Sequence, residues 1–387
     1  MPTDCKCPRR PSGPSTDVST IDADGDLHLI VGENKYDFHT RLRMPDDWEH
    51  HPHHHKESIT FVVDSRALSR SSPVFKRMLY GCFAESKRPT DGQWIVHLPE
   101  DDPHPMETIL HIIHGNFAKA QTNLQRHFPS NALLPKFEPW RIYDVTVLTD
   151  KYNLTHLLVP WVPHLIPAIE ASVKEYRNRS NGQELSRFMW VMWELGHKEA
   201  FKLLVGAMMR QSTIDKYGNL RDAEHRGRWF KGVLEPGKII DFIRTKRLLH
   251  IGDILLKFHE VNQLCSHRAR HARLDTQKEL AKLSLWPIPE REKYSGSINN
   301  LSGNFGKFFR VVCDVHFDCD VECAIRSRML GTLRWNQNPR CIRNLPDWAV
   351  NHLDTQAKKS GIAALNSMDL GASNRGGQLR INYRFLA

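Results

Sequence analysis

The stretch that decides the fold is "LSRSSPVFKRMLYGCFAES", Leu68 to Ser86. With Asp64–Ala67 ahead of it, it reads as two short helices. Ser72-Pro73 starts the second, because a proline is tolerated in a first helical turn, where its missing N–H is not needed. Val74, Phe75, Met78 and Leu79 recur at helical spacing and make one apolar face. Gly81 ends that helix.

Strand signals flank this pair. "LHLIV" at residues 27–31 ends at Gly32, "ITFVVDS" begins at Ile59, and "QWIVHLP" follows the helices. After the acidic turn "EDDPHP" comes a helix over Met106–His114, with Ile109, Leu110, Ile112 and Ile113 apolar. A loop of about Asn116–Pro139 leads to "WRIYDVTVLTDKYNLTHLL", a helix with Ile142, Val145, Leu148 and Tyr152 on one face.

This order of elements resembles the BTB/POZ domain, in the versions found in many fungal proteins. The similarity covers about residues 26–162, and "LTDKYNLTHLLVPW" supports it through its likeness to the family's "ADKY-x-L" helix. Two departures are the insertion between the first two strands and the long loop after Gly115; the usual "VHR" before "VL" also reads "VDSRAL" here. Loops absorb length cheaply, so the fold tolerates both. The resemblance implies a short sheet capped by helices, used for homodimerisation or partner binding and not for catalysis. It also implies one candidate contact. Phe83-Ala84-Glu85 matches the hydrophobic-x-Glu motif with which some relatives dock a cullin ubiquitin-ligase scaffold, and Met78 and Tyr80 stand beside it. An apolar anchor would fill a partner pocket while the carboxylate fixes register. The competing interpretation makes Phe83 a core or turn residue and Glu85 a solvated one.

The whole chain is then expected to be α+β. A disordered tail (1–20) precedes the BTB/POZ domain (21–170), which carries a His-rich insertion at 44–58. A mainly helical region (171–285) and a small mixed α/β region (286–387) follow. The helical region has a long pattern through "ELSRFMWVMWELGHKEAFKLLVGAMM", divided at Gly196, and another from Pro236 to Cys265. In the last region "GKFFRVVCDVHF" alternates: Phe309, Val311, Cys313, Val315 and Phe317 oppose Arg310, Asp314 and His316. That is a strand pattern, with a helix capped by Asp318 after it.

The net charge of +10 is unevenly placed. Lys and Arg number 18 against 22 Asp and Glu in residues 1–170, 22 against 13 in 171–285, and 14 against 9 in 286–387. Such asymmetry suggests modules with separate partners. Arg268, Arg270 and Arg273 in "SHRARHARLDTQKELAKL" are the candidate nucleic-acid contacts of a chromatin regulator. No DNA-binding signature and no aromatic platform accompanies them, so a solvated helix face is the better reading.

Five histidines in "WEHHPHHHKES" fall in the hairpin insertion, where a loop tip lacks the rigid second shell of a metal site. Cys313, Cys319, Cys323 and His316 invite a zinc reading, but a strand turning to helix near Asp318 would scatter them. No metal, cofactor or catalytic residue is assigned. "SGNFGK" at Ser302–Lys307 lacks the spacing of a phosphate loop, and no nucleophile elbow or zinc-protease signature is present. Trp190 and Trp193, with Met189, Met192 and Phe188, make a wide apolar surface that is either packed between helices or open to a partner. Eight scattered cysteines, no signal-peptide pattern and no membrane-length apolar run point to the cytoplasm or nucleus, neither secreted nor in a membrane. The expected function is protein–protein interaction: oligomerisation, or an adaptor role that could extend to a cullin scaffold.

Overall fold

Leu27, Leu29 and Val31 alternate with half-buried His28 and Ile30, and this period of two makes strand β2 (Leu27–Val31). The computed structural model describes residues 17–32, 58–126, 139–167, 169, 182–222, 227–272, 276–314, 342 and 344–364. They belong to a mixed α and β chain with a small sheet and mostly helices. The chain divides into two units: Met1–Leu133 with Val147–Leu157, and Leu134–Thr146 with Leu158–Ala387.

In the first unit, strand β3 (Ile59–Val63) runs antiparallel to β2, with Leu29 opposite Phe61. Strand β4 (Trp94–Leu98) lies parallel on the other edge of β2, with Val96 opposite Leu29. Strand β1 (Asp17–Thr20) pairs in parallel with β3, giving the order β1-β3-β2-β4. Residues 17–20, expected to end a disordered tail, are therefore part of the sheet. Its pattern of Asp, Val, Ser and Thr is largely exposed, and an edge strand with no buried face leaves no hydrophobic alternation to read. The other residues of that tail and residues 44–57 of the His-rich insertion lie outside the described residues.

Helices α1 (Ser65–Ser71) and α2 (Pro73–Tyr80) meet at Ser72. The Asp64 carboxylate caps α1 by accepting from the Arg66 amide at 2.7 Å. Ser72 ends α1 through its amide, which donates to the Leu68 carbonyl. Its hydroxyl caps α2, accepting from the Val74 and Phe75 amides at 3.1 and 3.0 Å, and donates to the Tyr152 carbonyl at 2.7 Å. Leu68, Phe75 and Leu79 point into the core. The Phe75 ring stacks on Tyr152 at 4.3 Å, and the Tyr152 hydroxyl donates to buried Asp101, which also pairs with Lys151 at 2.6 Å. Burial, then the charge of Asp101, hold the Tyr152 phenol well above its ordinary pKa. Asp102 caps α3 (Pro103–Ile113), and α4 (Phe117–Arg126) follows where the sequence suggested only loop. Ala120 and Leu124, one turn apart, are its buried residues among those described, and so few apolar positions in a polar segment give little to read as a helix. Helix α5 (Pro139–Lys151) lies in the expected "WRIYDVTVLTDKYNL" segment, and its last five residues belong to this unit.

In the second unit, α6 (Gly182–Leu195) and α7 (Lys198–Gln211) are divided at Gly196, as their sequence predicts. Gly196 has φ +76, and a Cβ there would sit 2.1 Å from the Ala357 nitrogen and 2.5 Å from the Leu353 carbonyl oxygen. Helix α11 (Asp347–Ser360) crosses the elbow at that point, and Ser360 Oγ donates to the Leu195 carbonyl at 2.6 Å. A hairpin of β5 (Ser212–Ile214) and β6 (Leu220–Asp222) closes over Asp215, whose carboxylate accepts from the amides of Tyr217 and Asn219 and from Arg221 Nε. Helix α8 (Ile239–Ala272) follows, then α9 (Thr276–Lys282) and α10 (Ile298–Asp314). Arg247 of α8 is 1% exposed and bonds three backbone carbonyls: Ser212 at 3.2 Å, Tyr294 at 3.1 Å and Gly296 at 2.5 Å.

One expectation for residues 286–387 is corrected. The alternating segment from Phe309 is helical as far as Asp314, because α10 is anchored by Leu301, Phe305 and Phe308 at helical spacing, with Phe305 stacked on Phe258 at 4.1 Å. The described residues of 286–387 hold helices, and the only described hairpin beyond the first unit lies within residues 171–285; the rest of the region expected to be mixed α/β lies outside the described residues. The helix expected after Asp318 lies outside the described residues.

Two glycines test the elbow. Gly196→Ala combines left-handed strain with backbone overlap and is expected to destabilise the protein by about 3 kcal/mol or more. Gly218→Ala, at φ +80 with nothing within 4 Å of its Cβ among the described residues, should lose only about 1 kcal/mol. Urea unfolding of both variants measures the difference; equal losses would refute the tight crossing of α11.

Candidate functional site

The residues after α2 form a pinned turn. Tyr80 ends the helix with its ring 46% exposed and its hydroxyl 2.7 Å from Ser65 Oγ. Ala84–Ser86 make one 3-10 turn, closed by Ser86, whose amide and hydroxyl both donate to the Phe83 carbonyl. The Trp94 indole N–H donates to the Glu85 carbonyl at 2.8 Å, tying the turn to β4.

Arg88 locks this arrangement. Its guanidinium lies 4.1 Å from the Trp94 ring centre and 5.6 Å from that of Tyr80. It donates to the Tyr80 hydroxyl at 3.1 Å and pairs with Asp26 at 3.2 Å. Asp26 in turn accepts from the Ser65 amide and hydroxyl, both at 2.8 Å. Burial works to raise the Asp26 pKa, but the Ser65 hydrogen bonds and the Arg88 charge outweigh it and hold the carboxyl below its ordinary value.

The structure brings Tyr80, Phe83 and Glu85 together on this turn. Phe83 is 53% exposed, Glu85 is exposed, and Met78 is half-buried two residues before Tyr80 on α2. Sequence reasoning missed Asp26, Ser65, Arg88 and Trp94. They are spread over some 70 positions, and only the Lys87-Arg88 pair beside the motif and the tryptophan at the strand start were visible as signals.

The remaining candidates do not form a site among the described residues. Arg268 and Arg270 fall near the end of α8, where side chains are not described, and Arg273 lies outside the described residues. Cys313 is on helix α10, while His316, Cys319 and Cys323 lie outside the described residues. No group of three His, Cys, Asp or Glu is placed to hold a metal ion among the described residues. No described helix is long and apolar enough to cross a membrane.

The wide apolar surface of α6 is covered within its own unit. Trp190 and Trp193 are 6% and 7% exposed, and Trp193 meets Trp348 at 5.7 Å and stacks on the His352 ring at 3.7 Å, both from α11. Burial, then the Lys359 charge, push the His352 pKa down to about 4, against the ring's hydrogen bond with the Trp193 backbone.

A scan of family models, a search of curated proteins and a search of solved structures each return no match for the chain.

Two measurements follow from these geometries. Arg88→Ala removes an ion pair and a ring contact, and is expected to lower stability by about 1 kcal/mol. Its clearer sign is faster hydrogen exchange of the Ser86 and Lys87 amides; unchanged exchange would mean that the turn does not depend on Arg88. For His352 the folded pKa lies below the unfolded one, so protonation favours the unfolded chain. Its contribution is complete above the unfolded value of about 6.5 and is lost as pH falls from there toward the folded value of about 4. Urea midpoints should therefore drop across that window, and less so in His352→Gln; parallel curves for the two proteins would exclude His352 as the cause.

Proposed function

We propose that the first unit is a BTB/POZ-type docking module and that the protein acts by assembly, through self-association or recruitment of another protein. The observation that carries this reading is the order of elements: two paired strands, a helix pair hinged at Ser72, a third strand on the far edge of β2, and a run of helices. The "LSRSSPVFKRMLYGCFAES" segment supplies that hinge, and Tyr80 meets Trp94 of the third strand edge-on at 6.2 Å. Adaptor work needs a pre-shaped contact and no reacting group, because ordering a loop at the moment of binding consumes affinity. The pinned turn bearing Phe83 meets that need.

A second reading has a specific observation in its favour. Phe83 and Glu85 are both exposed, so the apolar anchor and the carboxylate of a cullin-docking motif are available together. A regulator that binds nucleic acid through the basic later half has no comparable support.

Full-length protein carrying two different tags, co-expressed in its native cells, tests the assembly reading. The expected result is stoichiometric recovery of the second copy or of one defined protein. A chain that sediments as a monomer at about micromolar concentration, the range of ordinary specific association, and brings down neither would defeat the proposal. Recovery of a cullin by the wild type but not by Phe83→Asp would select the second reading; equal recovery would remove it.

A further inference from the structure

We infer that the exposed side of α1 and α2, with the Phe83 turn, is a docking surface for an acidic, amphipathic segment of another protein. The inference rests on the reading of the first unit as a docking module and names the chemistry of what it binds. From Asp64 to Arg88 the chain has six Lys and Arg (Arg66, Arg70, Lys76, Arg77, Lys87 and Arg88) against two acids, Asp64 and Glu85. This basic block stands in a region, residues 1–170, where acids outnumber bases by 22 to 18.

The fold does not use most of these charges. Arg88 pairs with Asp26. The other five cations are exposed, and none has a carboxylate at ion-pair distance among the described residues. In α1 a like-charge pair, Arg66 and Arg70, stands at i and i+4, which is mildly unfavourable. Arg66 also stands in the first turn, where the helix dipole disfavours a cation. Arg70 and Arg77 suit the last turns of their helices, and Arg77 Nε donates to the Pro73 carbonyl, but no acid of the fold neutralises this block, which leaves its charge to a partner of opposite sign.

Shape decides between an acidic protein and a nucleic acid. Tyr80 and Phe83 give the surface apolar anchors, each about half exposed. A base would need a free ring face, but the Tyr80 ring has Arg88 over it and its hydroxyl is engaged. Glu85 places a carboxylate two residues from Phe83 and would repel a phosphate chain there. Aliphatic side chains of a helix or extended segment can pack on Phe83 and on the Tyr80 edge while their acidic neighbours reach Lys76, Arg77 and Lys87. Glu85 then sets the register by excluding an acid from the position nearest Phe83.

The test uses the full chain and three fluorescein-labelled probes. They are a peptide of about 16 residues built from Glu-Glu-Leu-Leu repeats, its Lys-Lys-Leu-Leu counterpart, and an oligothymidine single strand of similar length. Anisotropy should show binding of the acidic peptide only, weakened about fivefold between about 50 and 300 mM salt. Lys76→Glu/Lys87→Glu and Phe83→Asp should each weaken it about tenfold or more. Unchanged urea midpoints establish that both variants fold, as their exposed positions predict, and Lys76→Gln/Lys87→Gln repeats the test without charge reversal. Absence of binding, equal binding by wild type and variants, or tighter binding of the basic peptide or the oligonucleotide overturns the inference. If the two-tag recovery of a second copy or partner persists while the acidic peptide fails, the docking-module reading stands and only the acidic partner falls.

Discussion

Ser72 is the residue on which the first unit turns. One hydroxyl accepts from two amides at the start of α2 and donates to the Tyr152 carbonyl, while the same residue's amide closes α1. An N-cap of this kind contributes about 1 kcal/mol, but its reach matters more than its magnitude. It holds the helix pair against a segment 80 residues later in the chain. Phe75 then stacks on Tyr152, and Tyr152 passes the connection to Asp101 at the end of β4. A buried carboxylate is tolerable there because a phenol and a lysine both face it.

That chain of contacts also explains how a surface turn acquires rigidity. The helix pair fixes Tyr80 and Ser65, β4 fixes Trp94, and Arg88 fills the space between them. The Phe83 side chain remains about half exposed beside this pinned turn. An aromatic residue so exposed is ready to contribute its apolar area to a partner. Lys76 and Arg77 stand one helical turn before Tyr80 on α2, the spacing that puts side chains on one face.

The sequence made the core of the first unit legible wherever burial imposed a period. β2 and β4 alternate, β3 is a short run of β-branched and aromatic residues, and Phe75 and Leu79 keep helical spacing, so their boundaries were readable to within a few residues. It was silent where no face is buried, as in β1, and faint where only two residues are, as in α4. It misled at residues 309–314, where a local alternation of two overlay a helix fixed from outside by Phe258. The motif Phe83-Ala84-Glu85 could be picked out by type, but the stack of Arg88 on Trp94 that presents it could not. A cation–ring contact depends on how a loop closes, and no spacing rule encodes that.

Arg247 has a different consequence. Its guanidinium is sealed in the second unit against the carbonyls of Ser212, Tyr294 and Gly296, and no acid takes part in those three bonds. Carbonyl dipoles neither gain nor lose protons, and dissolved ions find no exposed pair to shield. Burial lowers the Arg247 pKa to about 10, so the seam between α8, β5 and the segment at 294–296 keeps its charge through the acid and neutral range, a fixed joint inside a unit whose α11 seat rests on an imidazole that titrates there.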